Sequence, residues 1–299
     1  MIKLRHYNGD IEFGAEFCHV RDFLVRINQL EVVNEGFLWG RWEWMFCLRP
    51  FLDIQNLSCI GIWEDDGVIV ALATYEQAPG NVWLSIDSSY NYLKKDMLVY
   101  AIENMNKEGT VNILVDDNDS ELQGLCTSLG LRPTQNREFN SVIPINDDLH
   151  YSLPEGYQTV SLADDFNIEK YHRVLWKGFN HEGEPPMTSE ALEARRIALS
   201  GPHINFNLNI AVKAPNGEFV SYCGMWYELG TDYALVEPVA TDPDYRMKGM
   251  GRAAVLEAVK RCGELGAKRA YVGSSQQFYY NIGFNPCPSN TWWQKNNIE

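Results

Sequence analysis

An internal repeat constrains this chain more than any other feature. The two halves of its 299 residues carry the same order of elements. In the first half, residues 59–63 and 68–76 read as a hairpin around a turn at 64–67. In the second, residues 207–213 and 218–228 do the same around 214–217. A strand follows at 82–86 or 233–240, then a helix at 93–106 or 251–265, then a strand at 111–115 or 269–272. A short helix then ends in similar tetrads, Leu129-Gly130-Leu131-Arg132 and Ile282-Gly283-Phe284-Asn285, the first followed by Pro133 and the second by Pro286. Hairpins feeding β-α-β-α units predict an α/β fold (an α+β mixed sheet), with a mostly antiparallel sheet flanked by helices in each half. A chain of this length suits two domains. The polar, turn-rich stretch 148–156, with Pro154 and Gly156, predicts a linker between domains at 1–147 and 157–299.

Composition narrows the class. The start, MIKLRHYNGD, lacks the apolar core of a secretion signal, and apolar runs such as 68–73 are strand-length. The seven cysteines are scattered, odd in number and never spaced C-x-x-C. That predicts reduced thiols in a cytoplasmic protein, with no disulfide framework and no zinc site. The net charge of -15 offers no basic field for nucleic acid or an anionic membrane. Residues 1–150 hold 23 acidic and 11 basic side chains, and residues 151–299 hold 17 and 14. The acidic half suits solubility, or the attraction of cationic ligands such as amines.

The chemistry concentrates at residues 233–266. A β-rich segment reaches Ala240, a turn contains Asp242 and Pro243, and Arg246-Met247-Lys248-Gly249-Met250-Gly251 opens a helix. Val255, Val259, Cys262 and Leu265 recur at helical spacing. Glycines let successive backbone N–H groups converge, and a helix N-terminus favours an anion. Arg246 and Arg252 add positive charge, so the turn suits a pyrophosphate. The alternative is a turn serving packing alone. There is no third glycine as in the dinucleotide fingerprint, and no G-K-[ST] as in a P-loop.

This stretch resembles motif A of the GNAT acetyltransferases, [RQ]-x-x-G-x-[GA]. Val239-Ala240-Thr241 precedes it, and Pro243 sits where that family usually has proline. Downstream, Phe278-Tyr279-Tyr280-Asn281-Ile282-Gly283-Phe284 is similar to the family's terminal helix, with its tyrosine four residues before Gly-Phe. The resemblance covers about residues 157–286. It implies acetyl-CoA as cosubstrate and no metal. Val239, Ala240 and Thr241 would meet the pantetheine arm, and Arg246, Met247, Lys248, Gly249, Met250, Gly251 and Arg252 would wrap the pyrophosphate. It implies direct attack of an amine on the thioester, with the Tyr279 hydroxyl giving a proton or hydrogen bond to the leaving thiolate. Tyr279 otherwise reads as an amphipathic core residue. Glu237, beside Pro238, is a candidate base, since the family often has an acid on this strand. A solvated carboxylate at an edge or bulge is the competing reading.

The N-terminal half resembles a degenerate copy of the same domain. Aligning Asp87-Ser88-Ser89-Tyr90 with Asp242-Pro243-Asp244-Tyr245 puts Asn91 at Arg246, Lys94 at Gly249 and Asp96 at Gly251. Cys126 stands at Tyr279. An unrelated α/β domain is the alternative. The aromatic segment 37–46, with Trp39, Trp42 and Trp44, either packs a core or lines a substrate cleft with Glu43 or Glu35 receiving a cation. The polar loop 180–185 reads as surface, too crowded for a metal site.

The expectation is a tandem GNAT protein with one active copy. It would acetylate a primary amine on a small molecule. Acetylation of a protein or peptide N-terminus, or acyl-CoA sensing without catalysis, are the alternatives.

Overall fold

The computed structural model describes residues 1–9, 11–29, 32 and 35–296. The chain divides into two compact units. Unit 1 is residues 1–140 with 286–299, and unit 2 is residues 141–285. The first part of unit 1 supplies strands β1 (Ile2–His6), β2 (Gly61–Asp65), β3 (Val68–Thr74), β4 (Asn81–Ile86), β5 (Thr110–Asp116) and β6 (Arg132–Glu138). Next come β7 (Ser141–Pro144), β8 (Gln158–Ser161), β9 (Ile210–Lys213), β10 (Phe219–Tyr227), β11 (Tyr233–Thr241), β12 (Arg269–Val272) and β13 (Asn285–Pro286), and the chain closes with β14 (Asn290–Asn296). Unit 1 holds helices α1 (Ala15–Asn28), α2 (Trp39–Cys47), α3 (Lys94–Asn104) and α4 (Ser120–Ser128). Unit 2 holds α5 (Ile168–Gly178), α6 (Ser189–Ala198), α7 (Met250–Glu264) and α8 (Gln277–Asn281).

Each unit is built on a seven-stranded mixed sheet, in the orders β1-β2-β3-β4-β5-β14-β6 and β13-β7-β12-β11-β10-β9-β8. The steps β4–β5 and β11–β12 are parallel, and the hairpins preceding them are antiparallel. The paired β-α-β-α order expected from the repeat is present in both units. Strand β10 is buried along its whole length, as a central strand covered on both faces must be. Helix α7 lies against it through small residues, Ala253, Ala254 and Ala258, all fully buried. Short side chains there bring helix and sheet close, and Val255 and Val259 fill the layer between.

The expected boundaries at 147 and 157 differ from this partition. Strand β7 is antiparallel to β12 in the second sheet, while β14 sits between β5 and β6 in the first. The two repeats have therefore exchanged their last strands. Residues 148–156 do not run free either. Leu149, Tyr151 and Leu153 pack against the core of unit 2, and the Tyr151 hydroxyl donates to Glu257 at 2.8 Å. A strand's partner is chosen by long-range pairing, which local pattern does not encode.

The aromatic segment 37–46 packs a core. Trp39 and Trp42 are fully buried and Trp44 nearly so. The Trp42 indole N–H donates to the Phe17 carbonyl at 3.2 Å, and the Arg21 guanidinium lies 4.5 Å from the Trp39 ring. Among the described residues, no helix is long and apolar enough to cross a membrane.

A chain ending at Pro288 tests the exchange. It strips β14 from between β5 and β6 and removes the buried Thr291 and Trp293. At about 1 kcal/mol for each lost ladder bond, the loss is comparable to the whole stability of a domain. Calorimetry is expected to show unit 1 without a cooperative transition. An unchanged thermal profile would mean that β14 is dispensable.

Candidate active site

The site begins where two parallel strands part. The β11–β12 ladder runs from Tyr233 to Leu235 and stops, while the β10–β11 ladder continues to Thr241. Residues 236–241 therefore keep one paired edge and turn the other away from β12. The β10–β11 register also shifts between Cys223 and Met225. Glu237 and Pro238 there lie opposite Gly224, and the Glu237–Pro238 peptide is cis. A Cβ on Gly224 would stand 2.7 Å from the Glu237 carbonyl oxygen and 3.1 Å from Pro238 Cδ. Only glycine permits this approach. A bulge at such a place re-aims side chains and frees backbone groups. Glu237, Pro238 and Val239 are half-buried in a strand that is buried on either side of them.

Beyond Thr241 the chain builds its turn. The Asp242 side chain accepts from the Asp244 amide at 3.0 Å and starts a 3-10 turn, Pro243–Tyr245. Met247 (φ 59°) and Gly249 (φ 86°) then adopt left-handed conformations around Lys248. Alternating handedness of this kind makes successive amides converge. Met247 is fully exposed, so nothing apolar repays its conformation. Gly249 is the N-cap of α7, has no side chain to accept the first amides, and no acid lies in the first turn. The positive end of α7 is thus not neutralised by its own first turn. Gly251 is also a packing position. It is helical and buried, and a Cβ there would lie 3.0 Å from Thr241 Oγ1 and 3.2 Å from the Phe278 ring. It lets the helix pack on the strand end and on α8.

The cations around the turn hold backbone carbonyls. Arg246 donates to the Thr241 carbonyl at 3.1 Å, the Gly178 carbonyl at 2.8 Å and Asn180 Oδ1 at 2.8 Å. Lys248 donates to the Asp244 carbonyl, and Arg252 donates twice to the His150 carbonyl. Arg246 thereby clamps the end of β11 to the end of α5. That contact is close enough for a Cβ on Gly178 to meet Ala240 Cβ at 2.6 Å and the Thr241 nitrogen at 2.8 Å. Gly178 and Gly224 both matter to the site and carry no motif. Each is needed for a long-range approach that sequence spacing does not display.

Tyr279 comes from α8 and is nearly buried, with its ring edge-on to Phe278 and Phe284. Burial, with smaller contributions from Cys223 and Glu237, pushes its hydroxyl well above the ordinary tyrosine value. A hydroxyl so held keeps its proton at neutral pH.

Unit 1 repeats the frame with different residues at the turn. Asp87 accepts from the Ser89 amide at 3.1 Å and its own amide donates to Val70, as Asp242 does with Asp244 and Val220. Leu131 donates to the Cys126 carbonyl as Phe284 donates to that of Tyr279. These matched bonds support the register drawn from sequence. At the turn the copies part. Leu93, the N-cap of α3, is right-handed, Asp96 occupies the first helical turn, and Lys94 Nζ meets Asp119 and Glu121, each at 2.9 Å. Strands β4 and β5 also separate, after Val82–Ile113, beside a cavity of about 430 Å³ whose lining includes Glu35, Lys94, Asp116 and Asp119. Burial and Asp116 push the Glu35 carboxyl up to about 6. The thiol of Cys126, the counterpart of Tyr279, is buried and pushed up to about 12.

Comparison with known proteins agrees with this geometry. The model of the acetyltransferase (GNAT) family matches residues 168–284. A tandem GNAT protein from the clavulanic acid biosynthesis pathway superposes with a TM-score of 0.62 at 11% identity, covering 100% of this chain and 99% of that one. A GCN5-related N-acetyltransferase from Sphaerobacter thermophilus gives 0.56 at 13%, covering 100% and 96%. N-myristoyltransferase from Saccharomyces cerevisiae gives 0.52 at 12%, covering 99% and 80%. These likenesses are of fold. No curated protein sequence matches the chain.

Gly224→Ala is expected to disturb the bulge, because a methyl group cannot share space with the Glu237 carbonyl. The cost is about 1–3 kcal/mol, the range for overpacking a well-filled site. A thermal midpoint lowered by several degrees checks it. An unaltered midpoint would show that the bulge relaxes freely.

Proposed function

We propose, for a chain whose residues 168–284 match the model of the GNAT acetyltransferase family, that unit 2 transfers the acetyl group of acetyl-CoA to a primary amine of a small molecule. The observation that carries this reading is the parted strand edge 236–241 running into the left-handed turn and uncapped end of α7. A long ligand with amide groups and a pyrophosphate fits such a path. Val239, Ala240 and Thr241 offer backbone groups to its arm, and the amides from Met247 to Arg252 receive the phosphates, with Arg246, Lys248 and Arg252 close by. Acetyl-CoA supplies an activated acyl group.

Glu237, on the bulge, is the proposed base that takes the proton from the incoming ammonium. Tyr279 is the proposed donor to the departing thiolate. Its raised proton affinity favours a hydrogen bond over full transfer, since an ordinary thiol titrates near 8.5, far below such a hydroxyl. Unit 1 is proposed to act as scaffold. A pyrophosphate there would meet Asp96, a lysine already neutralised and no left-handed turn.

Two measurements test this. Calorimetric titration is expected to give one acetyl-CoA per chain, and Gly249→Ala is expected to weaken binding about tenfold, through the strain of a left-handed residue worth about 1–2 kcal/mol. A stoichiometry of two, or undiminished affinity in the variant, would overturn the assignment. With an amine panel and thiol detection, Tyr279→Phe is expected to lower kcat by about 100-fold with the acetyl-CoA Kd unchanged, and Glu237→Gln to lower kcat/KM by about as much. Loss of affinity with an unchanged kcat would make Tyr279 a packing residue.

A further inference from the structure

Unit 2 holds one guanidinium whose surroundings suit a ligand better than they suit the protein. Arg195 lies on α6, half-buried. Of the other cations on α5 and α6, Arg173 meets Glu218, Lys177 meets Asp242 and Arg196 meets Glu193, while Lys170 lies over the Phe219 ring. Arg195 meets no carboxylate among the described residues. Its one protein hydrogen bond there runs from Nε to His172 Nδ1 at 3.2 Å. His172 Nδ1 accepts, so Nε2 carries the hydrogen and donates to the Pro186 carbonyl at 3.1 Å. His172 is buried, and burial together with Arg195 lowers its proton affinity and keeps it neutral.

The result is a guanidinium held by its inner nitrogen, with its two terminal NH₂ groups left to form a planar fork. Withdrawing an arginine from water without a counter-charge is costly, and a carboxylate matches the fork in two parallel bonds. Its position connects it to the strand bulge. Tyr171, beside His172 on α5, packs edge-on to Tyr222 with ring centroids 5.0 Å apart. The Tyr222 hydroxyl lies 3.2 Å from where a Cβ of Gly224 would stand, next to the Glu237 carbonyl and Pro238. Arg195 thus holds His172, the chain neighbour of Tyr171, and the Tyr171–Tyr222 pair spans from α5 to the bulge on the face of β10 that α5 covers. The loop between α5 and α6 closes this corner through Trp176, whose indole donates to the Gly183 carbonyl and stacks on His181.

We infer that Arg195, oriented by His172, binds a carboxylate carried by the acceptor, so that the amine substrate is an amino acid or a close derivative. This rests on the transfer reading above but is tested apart from it. The probes are L-amino acids, each paired with the amine left when its carboxylate is removed. They are titrated calorimetrically into the intact protein with CoA present. Some carboxylated members are expected to bind at least tenfold tighter than their partners. Arg195→Gln is expected to erase that difference, and Arg195→Lys to restore part of it, with the acetyl-CoA Kd and thermal midpoint unchanged in both. Equal binding with and without the carboxylate, or a preference that survives Arg195→Gln, would overturn the inference. Thiol release from acetyl-CoA in the same samples reads transfer separately. Carboxylate-dependent binding without thiol release would support the Arg195 site and count against the transferase reading alone.

Discussion

The contact between Gly224 and the Glu237 carbonyl governs the geometry of unit 2. Because no side chain stands at 224, β11 can bulge toward β10 at Glu237 and Pro238 while its far edge leaves β12 after Leu235. Everything with chemical potential follows from that departure. It exposes the strand edge, brings Glu237 out of full burial, and places the end of β11 where α5 crosses it at Gly178. Arg246 then ties that crossing together with three acceptors. A close-packed sheet transmits a local shift of this kind, because neighbouring strands have no room to absorb it.

The turn and helix that follow leave a helix end without a side-chain cap. Met247 and Gly249 take left-handed conformations, and α7 starts without a capping oxygen. These features cost stability locally and are offset by the buried alanine and valine layer of α7 against β10. Unit 1 makes the opposite choice with the same frame. There a right-handed cap, Asp96 and the Lys94 ion pairs satisfy the helix end internally. One scaffold thus exists in two electrostatic versions, one with an uncapped helix end and one whose helix end meets charge from its own unit.

Arg195 and His172 show the same principle on the other side of β10. A side chain held by one bond and left with unsatisfied donors is stable only because the rest of the unit is well packed. The rings of Tyr171 and Tyr222, packed edge-on, supply part of that packing.

The sequence alone determined the repeat, the class of fold and the run from β11 into α7. Alternation and helical spacing are local properties, and glycine before a helix has few uses. The hairpins 59–76 and 207–228, the strand 269–272 and the Cys126–Tyr279 correspondence were legible for that reason. Tertiary structure alone decided the exchange of β7 and β14, because strand pairing is chosen among distant partners by total packing. It also decided that the segment 148–156 packs, that Trp39 and Trp42 fill a core, and that Gly178, Gly224 and Gly251 serve close approach. None of these can be read from spacing. The distance between two backbones becomes a property of the chain only once the sheet has formed.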